Sequence, residues 1–156
     1  MAQLPNFELA AAHRYFSAEC FNRAWDLIEK PRRTAEDDEK MLHLSLASLW
    51  HWTQRPDRTY TNLSVGYWQV SRIYALLGQP DNARKYAQLC LRACQQEKDI
   101  LPFYLGYAYE ALARTEMVAG DREKMQDHLQ KAMQVTERMS DPEAKKQLLD
   151  DLSTIG

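Results

Sequence analysis

The sequence predicts an all-α protein, and three observations carry that expectation. Leu occurs 19 times and Ala 18 times against four Val and four Ile, so good helix formers dominate and β-branched residues are scarce. Five Gly and six Pro fall mostly between apolar-periodic segments. Within those segments apolar residues recur at spacings of three and four, the period of a helix with one buried face. At 156 residues the chain is too short for two ordinary domains, so a single domain over 1–156 is expected.

Punctuation divides the chain into about seven helices. The first runs from about Phe7 to Lys30 and stops at Pro31, which cannot continue a helix. Thr34 followed by Asp37 reads as an N-cap with an acid at the third position, starting a second helix that lasts to about Gln54. Its residues Met41, Leu42, Leu44, Leu46, Leu49, Trp50 and Trp52 point all round the axis, so burial on most sides is expected. A third helix follows the Arg55-Pro56-Asp57 turn, from about Arg58 to Leu77, and Gly78 closes it. Pro80 opens the fourth helix, whose stripe is Ala83, Ala87, Cys90, Leu91 and Cys94 and which lasts to about Glu97. Asp99 is the expected cap of helix five, with Pro102 in its first turn and Gly120 at its end. Asp121 caps helix six, with an expected inner face of Met125, Leu129, Ala132, Met133 and Thr136. Ser140 or Asp141 with Pro142 opens a short seventh helix, where Leu148, Leu149 and Leu152 would cover the end of the stack.

Aligning Gly78 with Gly120 reveals an internal repeat of 42 residues. Tyr67 then pairs with Tyr109, Val70 with Leu112, Ser71 with Ala113 and Arg72 with Arg114. Past the turn Ala83 pairs with Met125, Ala87 with Leu129, Cys90 with Ala132 and Leu91 with Met133. The order of aromatic, apolar, small residue, turn Gly and spaced small or apolar residues resembles the tetratricopeptide repeat, over about residues 58–139. That family's usual period is about 34 residues, so a period of 42 implies longer helices. Glu116 stands where the second aromatic of the unit, Tyr74 in the first copy, is expected. The chain is also similar to an uncharacterised bacterial family of such helical proteins. The similarity lies in His13, Phe16, Glu19-Cys20, Asn22 and Trp25, in Ala47-Ser48 with His51-Trp52, and in Tyr107-Ala108-Tyr109-Glu110-Ala111-Leu112-Ala113-Arg114. Where that family carries a His this chain has Leu46, and the family brings no assigned activity. The resemblance implies antiparallel hairpins stacked as a right-handed superhelix of about six or seven helices. Its parts would be a divergent first hairpin over 7–54, repeats over 58–97 and 101–139, and a capping helix over 142–153.

Charge and termini narrow the function classes. A formal net charge of −2, with the one basic cluster Lys30-Pro31-Arg32-Arg33 followed directly by acids, argues against nucleic acid as partner. No apolar run approaches the roughly 20 residues of a membrane helix, and residues 1–12 lack a basic start, so a cytoplasmic protein is expected. Cys20, Cys90 and Cys94 form an odd set without a Cys-x-x-Cys pair and are expected to be buried, reduced thiols.

A helical repeat lines its concave face with the first helix of each pair. The candidate partner-binding residues are therefore Trp68, Arg72, Tyr107, Glu110 and Arg114. The repeat-equivalent Arg72 and Arg114 would clamp a carboxylate or acidic peptide between the aromatic walls Trp68 and Tyr107. The alternative is an Arg114–Glu110 pair along one helix, on a solvated face. On helix one, Glu19, Asn22, Asp26 and Glu29 fall within about 80° of arc, either a polar ligand-binding stripe or a solvated face crossed by ion pairs. His13, His43, His51 and His128 lack metal-ligand spacing, and no Gly-rich phosphate loop or nucleophile turn is present. No cofactor or metal is expected. The expected function is a non-catalytic protein- or peptide-binding module, with homo-oligomerisation through the open end of the first hairpin as a further possibility. The alternative is a helical-bundle enzyme or metal- or small-molecule-binding protein that uses His13, His51, His128 and the Glu19/Asn22 stripe.

Overall fold

The computed structural model describes residue 3 and residues 5–156, and among these the regular structure is seven α-helices without a strand. They are α1 (Leu9–Ile28), α2 (Ala35–Thr53), α3 (Tyr60–Leu76), α4 (Pro80–Gln96), α5 (Pro102–Ala119), α6 (Arg122–Thr136) and α7 (Pro142–Leu152). The chain divides into two compact units between Arg58 and Thr59.

In the first unit α1 and α2 pack as a hairpin. The capping box at Thr34 forms as expected, its hydroxyl accepting from the Asp37 N–H while Asp37 accepts from the Thr34 N–H. Lys30 and that backbone N–H hold the Asp37 carboxyl down at about 2. Five of the eight buried seam residues are small. His13, Ser17, Cys20 and Ala24 of α1 face Met41, Ser45, Ser48 and Leu49 of α2, and the Ser48 hydroxyl donates to the Ser17 carbonyl at 2.6 Å. Small side chains let the backbones approach closely enough for that bond. The expected burial of α2 on most sides does not hold. Leu42, Leu44, Leu46 and Trp52 are partly buried and Trp50 is exposed. Packed against one full-length partner in its unit, α2 buries one stripe.

In the second unit α3 pairs with α4 and α5 with α6; α5 also packs on α3 and α4, and α7 on α5 and α6. Gly78 and Gly120, 42 residues apart, both take the left-handed conformation, with φ of 69° and 80°, as the turn of each hairpin requires. Repeat-equivalent positions share their environment: Val70 and Leu112, Ser71 and Ala113, Ala83 and Met125, and Cys90 and Ala132 are all buried. The three cysteines are free and buried. Asp121 and Asp141 cap α6 and α7 as expected. Asp99 does not cap α5. With Pro102 at the first helical position the N-cap is Leu101, two residues beyond Asp99, and no side chain caps it. On α6 the buried face is Met125, Ala132, Val135 and Thr136, while Met133 is exposed. Val135 and Met133 flank the axis of that stripe almost equally, and Val135 is the one that lies toward Gly106 of α5.

Candidate functional site

Four of the seven residues singled out from the sequence meet around one carboxylate. Glu110, in the middle of α5, is fully buried. Its Oε2 accepts from the Trp68 indole N–H at 2.9 Å, and its Oε1 accepts from Arg72 Nη1 at 3.2 Å and from Arg114 Nε at 2.6 Å. A fifth residue, Tyr107, sets its ring edge-on to Trp68 with centroids 5.5 Å apart and donates its hydroxyl to Asp151 Oδ2 at 2.6 Å. Arg114 also reaches α7 and its end, where Nη2 donates to the Asp151 carbonyl and to Thr154 Oγ1.

Burial dominates the electrostatics. It pushes the Glu110 carboxyl up to about 7, against the downward pull of Arg72 and the Trp68 indole. It also raises the Tyr107 phenol well above its ordinary value, reinforced by Asp151. The Arg114–Glu110 pair anticipated along one helix forms, but in the interior rather than on a solvated face. As the helices stand, the repeat-equivalent arginines are engaged with the protein itself. Arg72 of α3 reaches forward to Glu110 of α5, and Arg114 of α5 reaches forward to Asp151 and Thr154.

The remaining two candidates lie on α1 in the first unit. Glu19 is half-buried and Asn22 exposed, and Asp26 and Glu29 of the same stripe are exposed. Trp25 donates to Glu29 at 2.9 Å, one turn along.

Of the histidines, His13 and His51 come together, their Nδ1 atoms 2.9 Å apart across the α1–α2 seam. His43 is exposed on α2, and His128 is on α6 with a buried Nδ1 that has no hydrogen-bond partner. Among the described residues no group of three or more His, Cys, Asp or Glu is placed to hold a metal ion.

Two features were not anticipated. Arg84 of α4 grips Glu116 of α5 with two hydrogen bonds, Nε to Oε1 at 2.7 Å and Nη2 to Oε2 at 3.0 Å, the carboxylate being almost wholly buried. This explains the acid at a repeat position where the first copy has Tyr74. The signal was present as that departure from the repeat, but nothing in the sequence names Arg84 as the partner. The second feature is an aromatic surface on the first hairpin. Tyr15 stacks edge-on against Phe16, Phe16 lies against His51, and Trp50 stands edge-on to both His13 and His51. Tyr15, Phe16 and Trp50 are 60%, 43% and 55% exposed, and Phe7 and Leu9 nearby in sequence are also exposed.

No helix among the described residues is long and apolar enough to cross a membrane. Compared with models of known families, with curated proteins and with solved structures, the chain matches none.

Proposed function

We propose that this chain is a cytoplasmic, non-catalytic binding module of the tetratricopeptide-like kind, and that it holds a protein partner on the aromatic face of its first hairpin. The observation that carries this is the connected exposed set Tyr15, Phe16 and Trp50 around His51. Scattered apolar residues on a surface need no explanation, but contiguous aromatic ones mark interaction sites. Aromatic side chains supply large contact area at low entropic cost. The partner is accordingly an apolar protein surface, and the first candidate is a second copy of the chain. A helical hairpin whose outer face is apolar rather than polar needs a covering surface for solubility.

The polar cluster around Glu110 supports a different role for the two arginines from the acidic-peptide clamp. A peptide carboxylate aimed at Arg72 and Arg114 has to displace Glu110, an acceptor already held by three donors. We assign the cluster to internal stapling of α3, α5 and α7.

Sedimentation velocity over a concentration series tests self-association. A photo-crosslinker in place of Tyr15, used in the native host, tests for a different protein, which is then purified and titrated. Trp50→Asp is expected to weaken whichever association is found by at least about tenfold, with the helical circular dichroism unchanged. A wild-type chain that stays monomeric and crosslinks to nothing that binds it saturably would overturn the proposal.

A further inference from the structure

We infer that His13 and His51 form a proton-sensitive clasp across the α1–α2 seam, which accepts one proton with the contact intact and is broken by a second. The ring centroids are 5.1 Å apart and the Nδ1 atoms 2.9 Å apart. That centroid distance is nearly the nitrogen separation plus the two ring radii, so the rings meet head-on. Two neutral imidazoles in this arrangement must be complementary tautomers, the Nδ1–H of one donating to the bare Nδ1 of the other. The donor ring then has a bare Nε2 away from the contact.

This arrangement orders the protonation steps. The first proton taken from solvent goes to the Nε2 of the donor ring, and the bond between the rings becomes a charge-assisted N–H⁺···N bond. A second proton has only the acceptor Nδ1 left, which sets two N–H groups and two positive charges against each other. Like charges about 5 Å apart at an effective dielectric of about 20 separate the two steps by about two pH units.

The surroundings add to this. His51 is held below the usual imidazole range by burial and by His13. Trp50 packs edge-on against both rings and Phe16 against His51. Of the charged groups close in sequence to the two rings, Arg14 pairs with Glu8 at 3.7 Å and Arg55 with Asp57 at 2.7 Å. Arg55 additionally donates to the Ser17 hydroxyl, one turn along α1 from His13. Among the described residues no carboxylate pairs with either ring, so no ion pair offsets a second positive charge. Separating the rings removes the support beneath Trp50 and Phe16, and so alters the aromatic face. That last consequence rests on the proposed partner site; the clasp does not.

Ring-nitrogen NMR of the wild-type chain from pH 8 to pH 4 tests the clasp directly. Both rings are expected to respond in two shared steps about two pH units apart, with α1 amides near His13 losing exchange protection at the second. In His51→Gln the two-step response is expected to be lost. Two independent single titrations within half a pH unit in the wild type would overturn the clasp, as would a second step that leaves α1 protection unchanged. Sedimentation of wild type and Trp50→Asp at pH 7 and pH 4.5 reads the partner site separately. Coupled titration with no association at either pH keeps the clasp and removes only its link to binding.

Discussion

The charge on Glu110 should make the second unit less stable as pH rises from 5 to 8, and Glu110→Gln should remove that dependence. Glu110 is fully buried and its carboxyl is raised to about 7 from an ordinary value of 4.5. The folded state therefore holds the proton more tightly than the unfolded chain does. Between those two values the folded form stays protonated while the unfolded form releases its proton, so stability declines with pH across that window and levels off above 7. At about 1.4 kcal/mol per pH unit, the loss between pH 5 and pH 8 is about 2 to 3 kcal/mol. His51 and His128, both held below their ordinary value by burial, act in the opposite direction. Their folded forms prefer to be neutral, so their contribution is lost as pH falls. Because they are common to both proteins, the quantity to measure is the difference between wild type and Glu110→Gln. Urea denaturation followed by circular dichroism at pH 5, 6, 7 and 8 gives it. Wild type should lose about 2 to 3 kcal/mol relative to the variant over that range. A difference that stays flat, or that grows in favour of wild type, would show that Arg72 and Arg114 outweigh burial and keep Glu110 ionised throughout.

Three further outcomes follow from the packing. A Cβ at Gly106 would run into Leu148 Cδ2, whose fully buried side chain must turn aside; set against the roughly 1 kcal/mol that Ala gains over Gly within a helix, Gly106→Ala should cost a net of about 1 kcal/mol and raise amide exchange in α7 before α5, read by hydrogen-exchange mass spectrometry. Arg84→Met leaves the Glu116 carboxylate buried without its partner and should cost about 3–5 kcal/mol in urea titration, with Glu116→Leu added to it recovering most of the loss. Thr34→Ala removes a capping box and should cost about 1 kcal/mol, while the Asp37 carboxyl stays well below its ordinary range in an NMR titration because Lys30 and the backbone N–H of residue 34 still donate to it.

Helix ends were the most legible part of the fold, because their chemistry is local. Thr34 with Asp37, Pro80, Gly78, Gly120 and Asp141 each act within a turn of their own position, and each does what its residue type dictates. Asp99 shows the limit. A good capping residue is overruled when a proline three positions on fixes the first helical residue. Which apolar residue is buried depends on neighbours distant in sequence, so Met133 and Val135 could not be separated from periodicity alone, nor could the exposure of Trp50 be foreseen. At the candidate site, repeat equivalence brought out Arg72 and Arg114, while Trp68 and Glu110 came from the groove positions. Their engagement with one another depends on the packing of α5 on α3, and that of Arg114 with Asp151 and Thr154 on the approach of α7, neither of which a local pattern encodes.

The register of the repeat assigns each helix its place in the order. Trp68 and Glu110 are the same position in successive copies, 42 residues apart, and they touch because the first helix of one copy faces that of the next. Duplicating residues 79–120 in tandem would place one Glu110 against another, two buried carboxylates where an indole donor and a carboxylate now meet. The two copies therefore cannot be shuffled or multiplied like beads. An extended stack would need tryptophan restored at that position in every copy but the last, so a single change of residue type records which helix precedes which.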